Sequence, residues 1–144
     1  MTHLVIDCEP DTGALERAAA LRHRVFVLEQ GVDPVIERDG RDNDALHVVV
    51  SDQDGEVVGT GRLMVQGTYA KVQRVAVDAT RRGEGIGRAV MEGLNQHAKR
   101  QEIGELRLSS QADAVAFYER LGYRSEGEPY LEAGIWHLAM KRAL

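Results

Sequence analysis

Glycines and arginines are concentrated in one segment near the middle of the chain, residues 74–88. An apolar β-like run there leads into three glycines that precede a helical pattern: Gly83, Gly85 and Gly87. Because glycine has no Cβ atom, such a turn lets a ligand approach backbone N–H groups at the positive end of a helix. Three arginines add charge: Arg81, Arg82 and Arg88. The segment predicts a ligand that carries phosphate groups.

The spacing of these glycines excludes two common phosphate motifs. In the dinucleotide fingerprint G-x-G-x-x-G/A, a reading from Gly83 places Arg88 at the last position, and a reading from Gly85 places Val90 there. The triphosphate loop G-x-x-x-x-G-K-[ST] also fails, because Arg88 stands five residues after Gly83 and no lysine follows. The sequence therefore favours neither NAD nor ATP as the ligand.

The elements around this turn follow from hydrophobic periodicity and turn signals. Apolar runs predict strands near residues 4–6, 46–50, 56–65, 69–77, 106–108 and 136–140, with a loop containing Gly127, Pro129 and Gly134 before the last. A first helical region is predicted to begin at Asp11 or Thr12 and to end at Pro34. A second helix is predicted from near Gly87 to near Gly104. A third should begin at a capping box of Ser110 and Asp113 and end at Gly122. This order predicts an α+β (mixed α/β) fold, in which helices cover a largely antiparallel sheet.

Three spaced motifs in this chain resemble those of the GNAT superfamily of N-acetyltransferases. The signature R/Q-x-x-G-x-G/A is matched by Arg82, Gly85 and Gly87. A second motif, A-x-x-F-Y-x-x-L-G-F/Y, is matched by Ala114, Phe117, Tyr118, Leu121, Gly122 and Tyr123. The segment R-x-x-V-F-V-x-E-Q at residues 22–30 is similar to the ElaA-like and YjcF-like branch. The resemblance implies one GNAT-type domain over residues 1–144 with a central twisted sheet. It would transfer an acetyl group from acetyl-coenzyme A to a primary amine of an unidentified small molecule or peptide, by direct attack in a ternary complex.

The resemblance also implies how the coenzyme is held. Backbone N–H groups of the turn would bind the pyrophosphate, with the Arg82 side chain beside them: Gly83, Glu84, Gly85, Ile86, Gly87 and Arg88. The edge of the strand at Val75 and Val77 would pair with the pantetheine arm, whose amides can satisfy a free strand edge. Gln111 stands where the family often has Asn, seven residues before the motif tyrosine, and its longer amide could still contact the coenzyme.

Acetyl transfer needs a proton acceptor for the amine, because an alkylamine of pKa about 10.4 is only about 0.1% neutral at pH 7.4. Four side chains are candidates: Glu29, His47, Glu132 and His137. The motif of the branch places Glu29 near the acceptor entrance, so Glu29 ranks first, and with His47 and His137 it is expected to bind substrate. The resemblance places Tyr118 near the coenzyme A sulfur, where it would protonate or hydrogen-bond the thiolate. The alternative for Tyr118 is a core aromatic.

Composition narrows the class of protein. The net charge is −5 and the basic residues are scattered, which excludes a general nucleic-acid surface. No apolar stretch approaches the roughly 18 residues of a membrane span, so no membrane partner is expected, and a cytoplasmic location is the default. The histidines and the single cysteine lack zinc-site spacing, so no metal is expected. A monomer and a homodimer are both compatible with the sequence. A coenzyme A-binding sensor without catalysis, and an acyltransferase for a longer acyl chain, stay open as alternatives.

Overall fold

The structure is a computed structural model that describes residues 3–144. Its strands are β1 (Val5–Asp7), β2 (Leu46–Ser51), β3 (Val57–Gln66), β4 (Tyr69–Val77), β5 (Glu105–Gln111), β6 (Arg124–Glu132) and β7 (Ile135–Ala143). Its α-helices are α1 (Thr12–Arg22), α2 (Pro34–Glu37), α3 (Ile86–Arg100) and α4 (Val115–Arg120). A π-helical segment, His23–Glu29, continues α1, and short 3-10 turns lie at Asp42–Asp44, Ala79–Arg81 and Ala112–Ala114.

All seven strands form one sheet in the order β1-β2-β3-β4-β5-β7-β6. Each neighbouring pair is antiparallel except β4 and β5, which are parallel. Helices cover both faces, as the alternation along β2 makes clear: Val48 and Val50 pack in the cluster that contains α3, whereas Val49 packs against α1. The prediction of a largely antiparallel sheet with flanking helices is therefore confirmed.

The sheet opens between β4 and β5. These strands pair only between Tyr69–Lys71 and Glu105–Arg107, and the rest of each strand has no partner across the gap. On the other side of β4, the register with β3 shifts, so that Arg74 and Val75 stand opposite the single residue Gly61. Arg74 has φ of 57°, which is uncommon for a residue with a side chain. The bulge bends β4 away from β5 and leaves a cleft through the sheet.

The prediction that the first helical region ends at Pro34 was wrong. The helical residues end at Glu29 and Gly31 follows with φ of 73°, whereas Pro34 begins a new helix, α2. Proline suits the first turn of a helix, where its missing N–H is not needed, and the Asp33 side chain caps this helix by accepting from the Val35 N–H.

Two local expectations near the C-terminal half were also wrong. Residues 124–132, expected to lie partly in a loop, form the edge strand β6, and Gly127 and Pro129 occupy the register shift between Glu126 and Tyr130. The capping box of Ser110 and Asp113 does not form, because the Ser110 hydroxyl donates to the Gln111 carbonyl and a 3-10 turn intervenes before α4. An edge strand with a bulge tolerates residues that sequence rules assign to loops.

Candidate active site

A cavity of about 1030 Å³ lies where β4 and β5 separate, and side chains from both faces of the sheet line it. Phe117 and Tyr118 of α4 pack in the same core cluster as α3, on one face. Gln111 and His137 are paired across β5 and β7, so their side chains share a face of the sheet, and alternation along the strands places them on the face opposite that cluster. There the Gln111 Nε2 donates to the Gln30 Oε1 at 3.1 Å. The cavity therefore passes through the sheet and joins two chemically distinct halves.

The glycine turn at the start of α3 has the conformation that its sequence predicts. Gly83 and Gly85 have φ of 88° and 83°, and a Cβ atom on either would meet no protein atom within 4 Å. The first helical hydrogen bond runs from the Ala89 N–H to the Gly85 carbonyl, so the N–H groups of residues 86–88 have no partner within the helix. Free N–H groups beside open space fit a pyrophosphate.

Glycine is needed at position 87 for a different reason than at positions 83 and 85. A Cβ atom there would lie 3.3 Å from the Phe117 Cζ and 3.6 Å from the Val77 Cγ2. Gly87 therefore lets the start of α3 pack closely against α4 and the end of β4, and its side of the turn faces protein. The backbone N–H at this position remains available to a ligand.

The three arginines of the turn do not contribute charge equally. Arg81 binds Asp52 at 2.9 Å and Glu84 at 2.9 Å, and Arg88 lies 3.5 Å from Glu92. Arg82 donates through Nη1 and Nη2 to the two carboxylate oxygens of Glu29, at 2.6 and 2.8 Å. Arg82 is thus the guanidinium that lies between the turn and the cavity, and it lines the cavity itself.

The backbone of β4 presents hydrogen-bonding groups to the open cleft. The Asp78 N–H donates to the Val58 carbonyl of β3 at 2.9 Å, so by alternation the N–H group of Val77 points the other way. Val75 lines the same cavity, but it stands in the bulge, where the alternation is interrupted. The Val77 carbonyl on that side accepts from the Arg82 Nη2 at 3.3 Å. An extended ligand with amide groups can pair with this edge as an added strand.

Tyr118 presents a free hydroxyl to the cavity. Burial raises its pKa to about 12, and its O–H makes no hydrogen bond with any residue from 3 to 144. The ring is held by edge-on contacts with Phe117 and Tyr123, at centroid distances of 5.0 and 5.8 Å. The phenol therefore stays protonated over the working pH range and can donate to a ligand atom in the cleft.

The four candidate bases occupy very different surroundings. Glu29 lines the cavity, but the hydrogen bond from Arg82 lowers its pKa, which makes this carboxylate a weaker proton acceptor. Glu132 and His137 also line it, with His137 Nε2 3.9 Å from the Glu132 Oε2. His47 does not: it lies in a separate depression beside α1, where its Nε2 is 2.7 Å from the Asp42 carbonyl. The cleft thus brings together three of the four.

A buried ionic cluster that sequence reasoning missed holds the segment beside the acceptor half. Its members are Arg22, Arg62, Arg74, Glu37, Asp39 and Asp42. Arg62 is 1% exposed, and its guanidinium holds the pKa of Asp39 well below its usual range. The one signal in the sequence was an arginine inside the apolar run of β3. The cluster fixes residues 36 and 37 against the cavity and ties Arg74 of the bulge to them.

Among residues 3–144, no three His, Cys, Asp or Glu side chains are arranged to hold a metal ion. Over the same residues, no helix is both long and apolar enough to cross a membrane.

Known proteins share both the sequence and the architecture. A family model described as an acetyltransferase (GNAT) domain matches residues 14–144. The uncharacterized N-acetyltransferase YjcF of Bacillus subtilis is 38% identical over 130 residues, which are 89% of this chain and 91% of that protein. An acyl-CoA N-acyltransferase from Pseudomonas aeruginosa superposes with a TM-score of 0.84 and 31% identity, over 99% of this chain and 100% of the other. ElaA of Escherichia coli superposes with a TM-score of 0.82 and 28% identity, over 99% of each chain. The glycine turn, the open sheet and these matches together establish that the chain belongs to the GNAT family of acetyltransferases.

Proposed function

We propose that this protein transfers an acetyl group from acetyl-coenzyme A to a primary amine while both are bound. The observation that carries the proposal is the cleft between β4 and β5. At one end of it lies a turn with free N–H groups, and on the opposite face of the sheet lies a polar pocket. A donor and an acceptor can therefore meet in the sheet from opposite sides, which direct transfer requires.

The donor half is supplied by α3, α4 and the edge of β4. N–H groups of residues 86–88 and the Arg82 guanidinium would bind the pyrophosphate, and the backbone of Val75 and Val77 would pair with the pantetheine amides. When bound there, acetyl-coenzyme A supplies the acetyl group as an activated thioester. Gln111 is committed to Gln30 in this structure, so a contact from its amide to the coenzyme would require that hydrogen bond to rearrange.

The chain offers two hydrogen-bond donors for the charges that develop in the reaction. A backbone N–H at this end of β4, on Val75 or Val77, would donate to the thioester oxygen as that atom gains negative charge. The Tyr118 O–H, protonated and without a protein partner, would donate to the departing sulfur.

Binding of the donor can be tested apart from catalysis. Acetyl-coenzyme A at a hundred times its dissociation constant should stabilise the folded protein by about 2.7 kcal/mol, visible as a rise in melting temperature. Gly85→Val should remove most of this rise, because its side chain would occupy the open space beside the free N–H groups. The substitution also places a branched residue at φ of 83°, so the folded state of the variant must be checked first.

Transfer itself is tested by thiol release from acetyl-coenzyme A with a panel of primary amines, and by repeating the assay with succinyl-coenzyme A. Amine-dependent thiol release from the acetyl donor supports the proposal. Binding without release for any amine would favour the sensor function, and faster release from the longer donor would favour the other acyltransferase. No melting shift at millimolar coenzyme would overturn the proposal.

A further inference from the structure

We infer that His137 takes the proton from the acceptor amine and that the backbone carbonyl of Ile135 holds it in the tautomer able to do so. The inference rests on the proposed function and names the proton acceptor of that same site. It replaces Glu29, which the motif had favoured, as the first choice for that role.

A hydrogen bond at Nδ1 of His137 determines that the lone pair of the neutral ring lies on Nε2. Nδ1 lies 2.8 Å from the Ile135 carbonyl oxygen. A carbonyl can only accept, so Nδ1 carries the hydrogen and the neutral ring keeps its lone pair on Nε2. Nε2 is 3.9 Å from Glu132, which is beyond hydrogen-bond distance, so this lone pair is not consumed. It remains available to a proton from a ligand.

The ring is also held in place by its neighbours in the sheet. It stacks on Tyr130, with centroids 5.9 Å apart and planes 24° apart, and the Tyr130 hydroxyl is hydrogen-bonded to Ser109 of β5. Tyr130 and Gln111 flank His137 in register, one on each neighbouring strand. The side chain is 11% exposed and lines the cavity. A base fixed in this way needs no rearrangement before it accepts a proton.

One carboxylate lies beside the His137 ring. Glu132 of β6 is the carboxylate nearest to the ring, while Gln111 and Ser109 of β5 are uncharged. Glu29 lies on the π-helical segment above this face, and its charge is balanced by Arg82.

The other carboxylates and the other candidate histidine are less suited. Glu29 accepts two hydrogen bonds from Arg82, and Glu37 accepts from Arg22 and Arg74 through one oxygen. His47 lies outside the cavity. Glu132 has a side chain that is 62% exposed and therefore well hydrated. His137 alone among these groups combines a free lone pair, a fixed orientation and a place in the cleft.

The step balances without another reactant. Nε2 removes one proton from the acceptor ammonium and releases it to water. The nitrogen lone pair then forms the bond to the acetyl carbon, and the carbon–sulfur bond breaks with its electron pair leaving on sulfur. The second nitrogen proton passes through solvent to the thiolate, which the Tyr118 O–H holds by a hydrogen bond.

His137→Asn tests the inference, because the Asn amide nitrogen can replace Nδ1 as the donor to Ile135 while no base remains. With the most reactive amine of the panel, kcat should fall by about 100- to 10,000-fold, the range of single proton-transfer groups. The dissociation constant for acetyl-coenzyme A should stay within about twofold. In the variant kcat/KM should keep rising with pH toward about 10, because only the free amine, of pKa about 10.4, can then react, whereas in the wild type it should level off at lower pH.

The control is His23→Asn, at an exposed histidine outside the cavity, which should keep both the rate and the pH profile. A folded His137→Asn protein with wild-type kcat and the same pH profile would overturn the inference. Nitrogen NMR of the labelled wild-type protein gives a second readout that needs no amine: the His137 resonances should report a protonated Nδ1 and a bare Nε2. The opposite tautomer would also overturn it. If acetyl-coenzyme A fails to bind even the wild type, the proposed function fails instead.

Discussion

Replacing Tyr118 with Phe removes one hydroxyl from the cleft and leaves the ring in its contacts with Phe117 and Tyr123. A hydrogen bond to a charged atom contributes about 1.5–3 kcal/mol, and each 1.36 kcal/mol in the barrier changes the rate tenfold. Turnover should therefore fall by about 10- to 150-fold. The affinity for acetyl-coenzyme A should hardly change, because the pyrophosphate turn and the strand edge are untouched.

The pKa of Tyr118 also predicts how this loss depends on pH. A phenol of pKa about 12 would have to give its proton to a thiolate whose parent thiol titrates near 8.5, which costs about 5 kcal/mol. Tyr118 should therefore hydrogen-bond the sulfur without losing its proton. Its contribution should be equal at pH 7 and pH 9, because the hydroxyl stays protonated at both.

Single-turnover thiol release measures the chemical step, and calorimetry measures the coenzyme affinity. Tyr123→Phe is the matched control, since Tyr123 is buried beside Tyr118, does not line the cavity, and has a pKa raised by the same cause. The control should keep wild-type turnover. The reasoning would be refuted if Tyr118→Phe also kept wild-type turnover and only lowered the melting temperature.

Three further predictions concern charge, packing and acid stability. Glu29→Gln should tighten acetyl-coenzyme A binding by up to about fivefold in calorimetry. The Glu29 carboxylate forms an exposed ion pair with the Arg82 guanidinium and so competes with the pyrophosphate for it. Unchanged or weaker binding would exclude that competition. Gly93→Ala should lower the free energy of unfolding by about 1–3 kcal/mol in urea titrations, because its Cβ would lie 2.6 Å from the Ile6 Cγ2. Gly104→Ala, whose Cβ would meet only a backbone oxygen at 3.7 Å, should cost less. The pKa of Asp39 is lowered in the folded state, so the stability that Asp39 contributes is present above about pH 4 and is lost as the pH falls below that value. The melting temperature of Asp39→Asn should therefore drop less between pH 5 and pH 3 than that of the wild type.

Local rules predicted much of the fold from sequence, including the glycine turn that begins α3. The four-residue repeat of Ile86, Val90, Leu94 and Ala98 predicts α3, and all four are buried. Asp54-Gly55 predicts the turn between β2 and β3, and Gly55 has the positive φ that the turn needs. These features depend on neighbours within a few positions, where residue type and spacing determine backbone conformation.

Long-range contacts decided the rest, because partners distant in the chain cannot be read from local spacing. Arg81, Arg82 and Arg88 look equivalent in sequence. In the fold, however, Arg81 forms an ion pair with Asp52, and Arg82 forms one with Glu29, which is 53 positions away. The same pairing weakened Glu29 as a proton acceptor, which its motif had favoured. The free nitrogen of His137 depends on the path of the backbone at Ile135, and its place in the cleft depends on the separation of β4 from β5. The sequence by itself determined which chemical groups the chain carries and where its turns and helices begin. Only the tertiary structure decided which of those groups are already paired and which face the cleft, because burial and charge pairing depend on residues that come together when the sheet forms.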